Sequence, residues 1–162
     1  MDRRRVLAAL AAAVATGPAR AEAPVRLVVV KSERKLYVMR EGRPLKDYWV
    51  ALGDKPVGPK ERQGDRRTPE GRYVINEKTR RTVFHGWLGI SYPNADDRAR
   101  AAALGVDPGG RIAIHGLPEG WAPVGPGRPM MDWTNGCVAL TNHDLDELWA
   151  MVEIGTTVEI RP

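Results

Sequence analysis

The spacing of glycine and proline constrains this chain more than any other feature. Seventeen glycines and thirteen prolines are spread through 162 residues. They break the sequence into short runs and favour brief elements joined by turns over long helices. Between the breaks, Val25 to Val30 (VRLVVV) is a compact β-branched run of the buried-strand kind. Lys35 to Arg40, a turn at Glu41-Gly42, and Leu45 to Leu52 extend it into a β-meander. Gly53 to Thr68 is polar and basic, interrupted by glycine and proline, and reads as an exposed loop. Further strands are expected at Gly71 to Asn76, Leu88 to Tyr92, Arg111 to His115, Gly136 to Leu140 and Thr156 to Ile160. Two short helices fit the capping signals. One runs from Asp96 to Leu104, behind Asn94 and stopped by Gly105. The other runs from about Asp144 to Val152, behind Thr141-Asn142, with Asp144, Asp146 and Glu147 near its positive end. The sum is one mainly β domain, and a 43% hydrophobic content supplies a core for it.

The N-terminus reads as a targeting segment. Arg3, Arg4 and Arg5 precede an apolar stretch, Val6 to Ala15, too short to span a bilayer, and Ala19-Arg20-Ala21 has the form of a cleavage site. Residues 1–21 are therefore expected to be a signal peptide and residues 22–162 the mature domain. Arg3-Arg4-Arg5-Val6-Leu7 also resembles a twin-arginine signal, so the secretory and twin-arginine routes both stay open. Removing residues 1–21 takes away four arginines and one aspartate, so the formal charge falls from +5 to +2. That loss removes the main support for nucleic-acid binding. No later segment is apolar enough to span a membrane. The expected location is the periplasm or cell envelope.

Exported proteins usually use cysteines in pairs, and this chain has one, Cys137. A lone cysteine is an inert core residue, an intermolecular link or a working thiol. It lies in Trp133-Thr134-Asn135-Gly136-Cys137-Val138, where glycine lets backbone approach a reacting carbonyl and the amides of Gly136 and Cys137 can face an oxyanion. A thiol needs a base to become a thiolate, and His115, ending a strand beside Gly116, is the candidate. Generic odds favour core filler for the cysteine and a satisfied polar group for the histidine; the surrounding sequence changes that weighting. Three histidines in unrelated settings offer no metal-ligand spacing, so neither a metal nor another cofactor is expected.

Three blocks resemble the L,D-transpeptidase catalytic domain family of the YkuD type: Thr68-Pro69-Glu70-Gly71-Arg72-Tyr73, Ile112-Ala113-Ile114-His115-Gly116, and Gly136-Cys137-Val138-Ala139-Leu140. They fall in order across Val25 to Ile160. The resemblance implies a β-sandwich-like fold with two short helices. It implies an acyl-enzyme on Cys137, His115 as base and the Gly116 carbonyl as orienter of His115. The implied substrate is the peptidoglycan stem peptide, cleaved after its third residue, with the acyl group passed to an amine. Two positions depart from the pattern. The histidine before Gly-Cys is Asn135, which hydrogen-bonds but carries no charge, and the arginine two residues after the cysteine is Ala139. Asp132-Trp133-Thr134 and Ser91-Tyr92-Pro93-Asn94 look closer to the branch that cleaves lipoprotein from peptidoglycan, so an envelope lipoprotein is a candidate partner.

Asn135, Tyr92, Trp121, Trp133 and Asp132 are expected to bind substrate, with Asp132 an alternative orienter of His115. His85 is expected in a structural or rim role, His143 in solvent, and Arg62, Arg66, Arg67, Arg80 and Arg81 on a solvated face that could also attract acidic wall polymers. Transpeptidation competes with a hydrolase or amidase reading, which differs only in the acceptor. A non-catalytic wall-binding module is opposed by the co-occurrence of His115, Gly136 and Cys137.

Overall fold

A computed structural model describes residues 22–121 and 131–162. The expected signal segment, residues 1–21, and residues 122–130 lie outside these. The described chain forms β1 (Arg26–Val30), β2 (Lys35–Arg40), β3 (Arg43–Trp49), β4 (Gly71–Thr79), β5 (Trp87–Ile90), α1 (Ala95–Leu104), β6 (Ala113–His115), β7 (Val138–Ala139), α2 (Asn142–Met151) and β8 (Thr157–Arg161). Every expected strand and both helices form, with bounds shifted by a few residues.

The strands make one curled eight-stranded sheet in the order β3-β2-β1-β8-β4-β5-β6-β7. The meander β1–β3 is antiparallel, while β8 joins β1 in parallel and β4 in antiparallel pairing. A register shift between Ile75 and Glu77 lets β4 pass from β8 to β5. Both halves of the sheet share a core. Leu27, Val29, Leu36, Val38 and Leu52 meet Ile75, Leu88, Ile114 and Leu140, with Leu145 and Leu148 of α2 packed in. Burying each of these side chains contributes roughly 1.5–3 kcal/mol.

Helix α1 starts where the sequence caps it. Asn94 accepts from the Asp97 amide and Asp97 returns a bond to the Asn94 amide. The Asp97 carboxylate is buried and also accepts from the Tyr73 hydroxyl at 3.0 Å, which ties the helix to β4. Thr141 caps α2 through the Asp144 amide. Among the described residues no helix is long and apolar enough to cross a membrane.

Candidate active site

Parallel pairing of β6 and β7 builds the site. Ile114 faces Val138 and His115 faces Ala139 in register. Cys137 immediately precedes β7, two residues before Ala139, so strand alternation puts it on the side of the ladder that carries His115. Its sulfur lies 3.8 Å from the Arg111 carbonyl oxygen, at the approach to β6. Thr134 closes the turn before the cysteine. Its hydroxyl donates to the Cys137 carbonyl (2.7 Å) and accepts from the Gly136 amide (3.1 Å). The Gly136 N–H is thereby engaged by Thr134. The Cys137 N–H has no partner among the described residues.

Gly136 has no substitute in this turn. Its φ is +131°, and a Cβ would lie 2.7 Å from the Arg67 carbonyl oxygen. Gly116 is held by space instead of dihedral angle, since a Cβ would come within 2.7 Å of both the Asn142 side-chain oxygen and the His85 Cβ. That Asn142 oxygen accepts from the Leu117 amide at 2.8 Å and fixes the chain just beyond His115 to the start of α2.

His115 is 1% exposed. Phe84 stacks on it at 3.9 Å between ring centroids, Trp87 lies parallel at 5.8 Å, and Trp133 presents an edge at 5.8 Å. Its Nδ1 is 2.7 Å from the Gly116 carbonyl oxygen. A carbonyl only accepts, so Nδ1 carries the proton and Nε2 of the neutral ring is left as a base. Burial lowers the imidazole pKa to about 4, against the opposing pull of the Gly116 carbonyl. The ring is neutral at physiological pH. Burial likewise pushes the Cys137 thiol up to about 11, opposed by the Ala113 backbone, Lys60 and Arg111. The resting pair is a neutral thiol beside a neutral imidazole, suited to proton transfer as a substrate is attacked.

An open groove of about 520 Å³ reaches Cys137 and Asn135, with Lys60, Arg66 and Arg111 on its walls. Asn135 thus lies beside the sulfur on the groove. Trp121 is 51% exposed and leans on Trp133 at 4.7 Å, making a wall next to His115.

Two expected substrate contacts are corrected. Tyr92 is buried, donates its hydroxyl to the Pro108 carbonyl at 2.7 Å and packs against Tyr73, so it is a core residue. Asp132 is held by the Arg34 guanidinium, with Nε at 2.9 Å and a terminal nitrogen at 2.7 Å, and by the Leu52 amide at 3.0 Å. It anchors the loop before Cys137 to the meander, while His115 bonds the Gly116 carbonyl instead. Ala139 is buried, and its backbone is paired with that of Ala51.

His85 pairs with Asp146 at 2.9 Å and so joins the β4–β5 connection to α2. His143 is largely in solvent. Arg80 is less free than expected: it bonds Asp146 and lies over the Trp149 ring. His143, Asp144 and Glu147 bring possible metal-ligand atoms within 4.8 Å of one another, but Glu147 is already paired with Lys46.

Sequence reasoning missed the cations of the groove. Lys60 and Arg66 sit in the basic loop assigned to a solvated face, and Arg111 was read only as the start of a strand. The Thr68-Pro69-Glu70-Gly71 block proves architectural. Thr68 accepts the Gly53 amide at 2.9 Å, and the buried Lys31 ammonium binds the Gly58 and Thr68 carbonyls and Glu70. These bonds hold the loop whose Arg67 carbonyl abuts Gly136.

Residues 24–160 match the family described as the L,D-transpeptidase catalytic domain (YkuD). YafK of Escherichia coli K12, named as a candidate L,D-transpeptidase, is 33% identical over 136 residues, which cover 80% of this chain and 47% of that protein. The chain spans about half the length of the curated relatives it matches. The helical cell shape determining protein Pgp2 of Campylobacter jejuni superposes with a TM-score of 0.66 at 23% identity, over 86% of this chain and 48% of that one. Bd1075 of Bdellovibrio bacteriovorus gives 0.61 at 23% identity, over 88% and 49%. An L,D-transpeptidase from Mycobacterium smegmatis gives 0.59 at 16%, over 86% and 59%. These structures share the fold.

Proposed function

This chain belongs to the L,D-transpeptidase catalytic domain family, and from that premise we propose that it is an exported cysteine acyl-transfer enzyme acting on peptidoglycan stem peptides in the cell envelope. The observation that carries the reading is the tautomer of His115. Its Nδ1 proton is committed to the Gly116 carbonyl, so Nε2 is a base on the side of the ladder that carries Cys137.

Nε2 takes the Cys137 proton as sulfur attacks the carbonyl of the bond after the third stem residue. The Cys137 N–H supports the developing oxyanion; the Gly136 N–H joins it by sharing its bond to Thr134. Collapse of the tetrahedral intermediate breaks the peptide bond, and His115 returns the proton to the leaving amine. A second amine attacks the thioester, His115 accepts its proton, and the thiol is regenerated. Asn135 contacts substrate in the groove, and Trp121 with Trp133 forms a wall on the His115 side of the site. Water attacking the same thioester gives the hydrolase outcome, release of peptide or of a wall-bound lipoprotein.

The test is digestion of purified sacculi with the full chain, followed by mass spectrometry of the muropeptides. New cross-links through the third residue mark transpeptidation, and peptides shortened to that residue mark hydrolysis. Cys137→Ala should keep the fold and yield neither. No new product from the wild type, or the same products from a folded Cys137→Ala protein, would overturn the assignment and leave a wall-binding module.

A further inference from the structure

We propose that Arg111 binds a free carboxylate on the stem peptide, so that the groove selects peptides carrying that acid over peptides in which it is amidated or absent. The proposal rests on the function proposed above and assigns one contact of its substrate.

Three cations line the groove that reaches Cys137, and they are not equivalent. Lys60 is buried, binds Asp65 at 2.7 Å and also donates to the Arg62 carbonyl. Arg66 is paired with Asp54. Arg111 is exposed and has no acidic partner among the described residues. The two paired cations cancel, and the groove keeps a net charge of +1 on a planar, two-pronged donor. That charge matches a single carboxylate, which a guanidinium binds through two parallel bonds, better than it matches a doubly charged phosphate.

The guanidinium is also placed. It lies over the Trp87 ring at 5.3 Å, and Trp87 runs parallel to the His115 ring, with 4° between the planes. The backbone of Arg111 has φ +53°, a left-handed conformation uncommon for a residue with a side chain. Its carbonyl is the atom 3.8 Å from the Cys137 sulfur, so the residue that would hold the acid abuts the residue that would attack the neighbouring bond. Position 139, by contrast, is a buried alanine and supplies no cation. The groove therefore draws its free positive charge from the segment that leads into the strand bearing the base.

The experiment uses the full chain carrying Cys137→Ala, which binds stem peptide without consuming it. Two synthetic tetrapeptides with diaminopimelate at the third position are titrated by calorimetry. One has the side-chain carboxyl free, and the other has it as the primary amide. The free acid should bind about tenfold more tightly, the ratio expected when one charge-assisted contact is lost. Adding Arg111→Met should bring the two to parity by weakening the acid alone, and Arg111→Lys should restore part of the difference. Circular dichroism confirms that the variants are folded. Equal binding of acid and amide overturns the proposal, as does a preference that survives in Arg111→Met and so belongs to Lys60 or Arg66. Binding of neither peptide, with no turnover by the wild type, overturns the functional reading and this contact with it. Turnover of both peptides without preference overturns only this contact.

Discussion

The Nδ1–H of His115 donates to the carbonyl of Gly116, the next residue in the chain, at 2.7 Å. A hydrogen bond between neighbours needs no distant partner to stay aligned. It leaves the carboxylates of the loop free for other work, which is why Asp132 is found on Arg34.

Buried neutral histidine should make the fold sensitive to acid. The unfolded chain binds a proton near 6.5 and the folded chain only near 4, so unfolding takes up a proton between those values. Stability from this group is complete above pH 6.5 and is lost as pH falls toward 4, to an extent on the order of 3 kcal/mol. Urea unfolding at intervals across that window, for wild type and His115→Gln, measures it. Identical slopes in the two proteins would remove His115 as the cause.

Asp132→Ala should destabilise the protein by about 1–3 kcal/mol, because it strands the Arg34 guanidinium and the Leu52 amide. The midpoints of the pH–rate profile should stay where they are, since no bond joins Asp132 to His115. Chemical denaturation and steady-state rates across pH separate the two effects. A displaced midpoint without loss of stability would return Asp132 to the role of orienter.

Gly136→Ala should be worse than its single methyl suggests. The φ of +131° costs a residue with a side chain about 1–3 kcal/mol. The new Cβ also meets the Arg67 carbonyl at 2.7 Å, which is backbone and cannot swing aside. Loss of turnover should accompany a lowered melting temperature. A variant as stable as the wild type would show that the turn has another conformation available.

Local chemistry explains what could be read in advance. The VRLVVV run, the Asn94 and Thr141 caps, and the stop at Gly105 act through neighbours in sequence, and the elements they specify are present. The Gly116 carbonyl was expected beside His115 from the family resemblance alone, and the bond between them is present. β4 runs past the expected Asn76 to Thr79 because a bulge at Ile75–Glu77 breaks the alternation that marks a strand. Tyr92 was misplaced because its sequence does not say which way an aromatic ring near a strand end turns; here it turns inward onto Tyr73. Arg34 and Asp132 are 98 residues apart, and nothing local to either specifies the pair. The net charge of the groove was hidden likewise, because it depends on which cations Asp54 and Asp65 neutralise.

The position before Gly136 offers the sharpest electrostatic test. Asn135 is exposed and shares the groove with Cys137, two residues from the sulfur. It brings hydrogen-bonding capacity without charge. The wild-type profile should therefore show one acid limb and one alkaline limb, both belonging to the thiol–imidazole pair as a unit. Asn135→His adds an imidazole in open solvent, with an ordinary pKa of about 6.5. Below that value the new ring is a cation beside the pair, and it should disfavour protonation of His115 and draw the acid limb downward; above it the ring is neutral, so the alkaline limb should stay where it is. The fold should be unaffected, since an exposed side chain is exchanged for another and the Thr134 bonds that shape the turn are retained. Rates on one cross-linked muropeptide, measured across pH for both proteins, decide the matter. Superimposable normalised profiles from two active proteins would place residue 135 outside the electrostatics of the thiol.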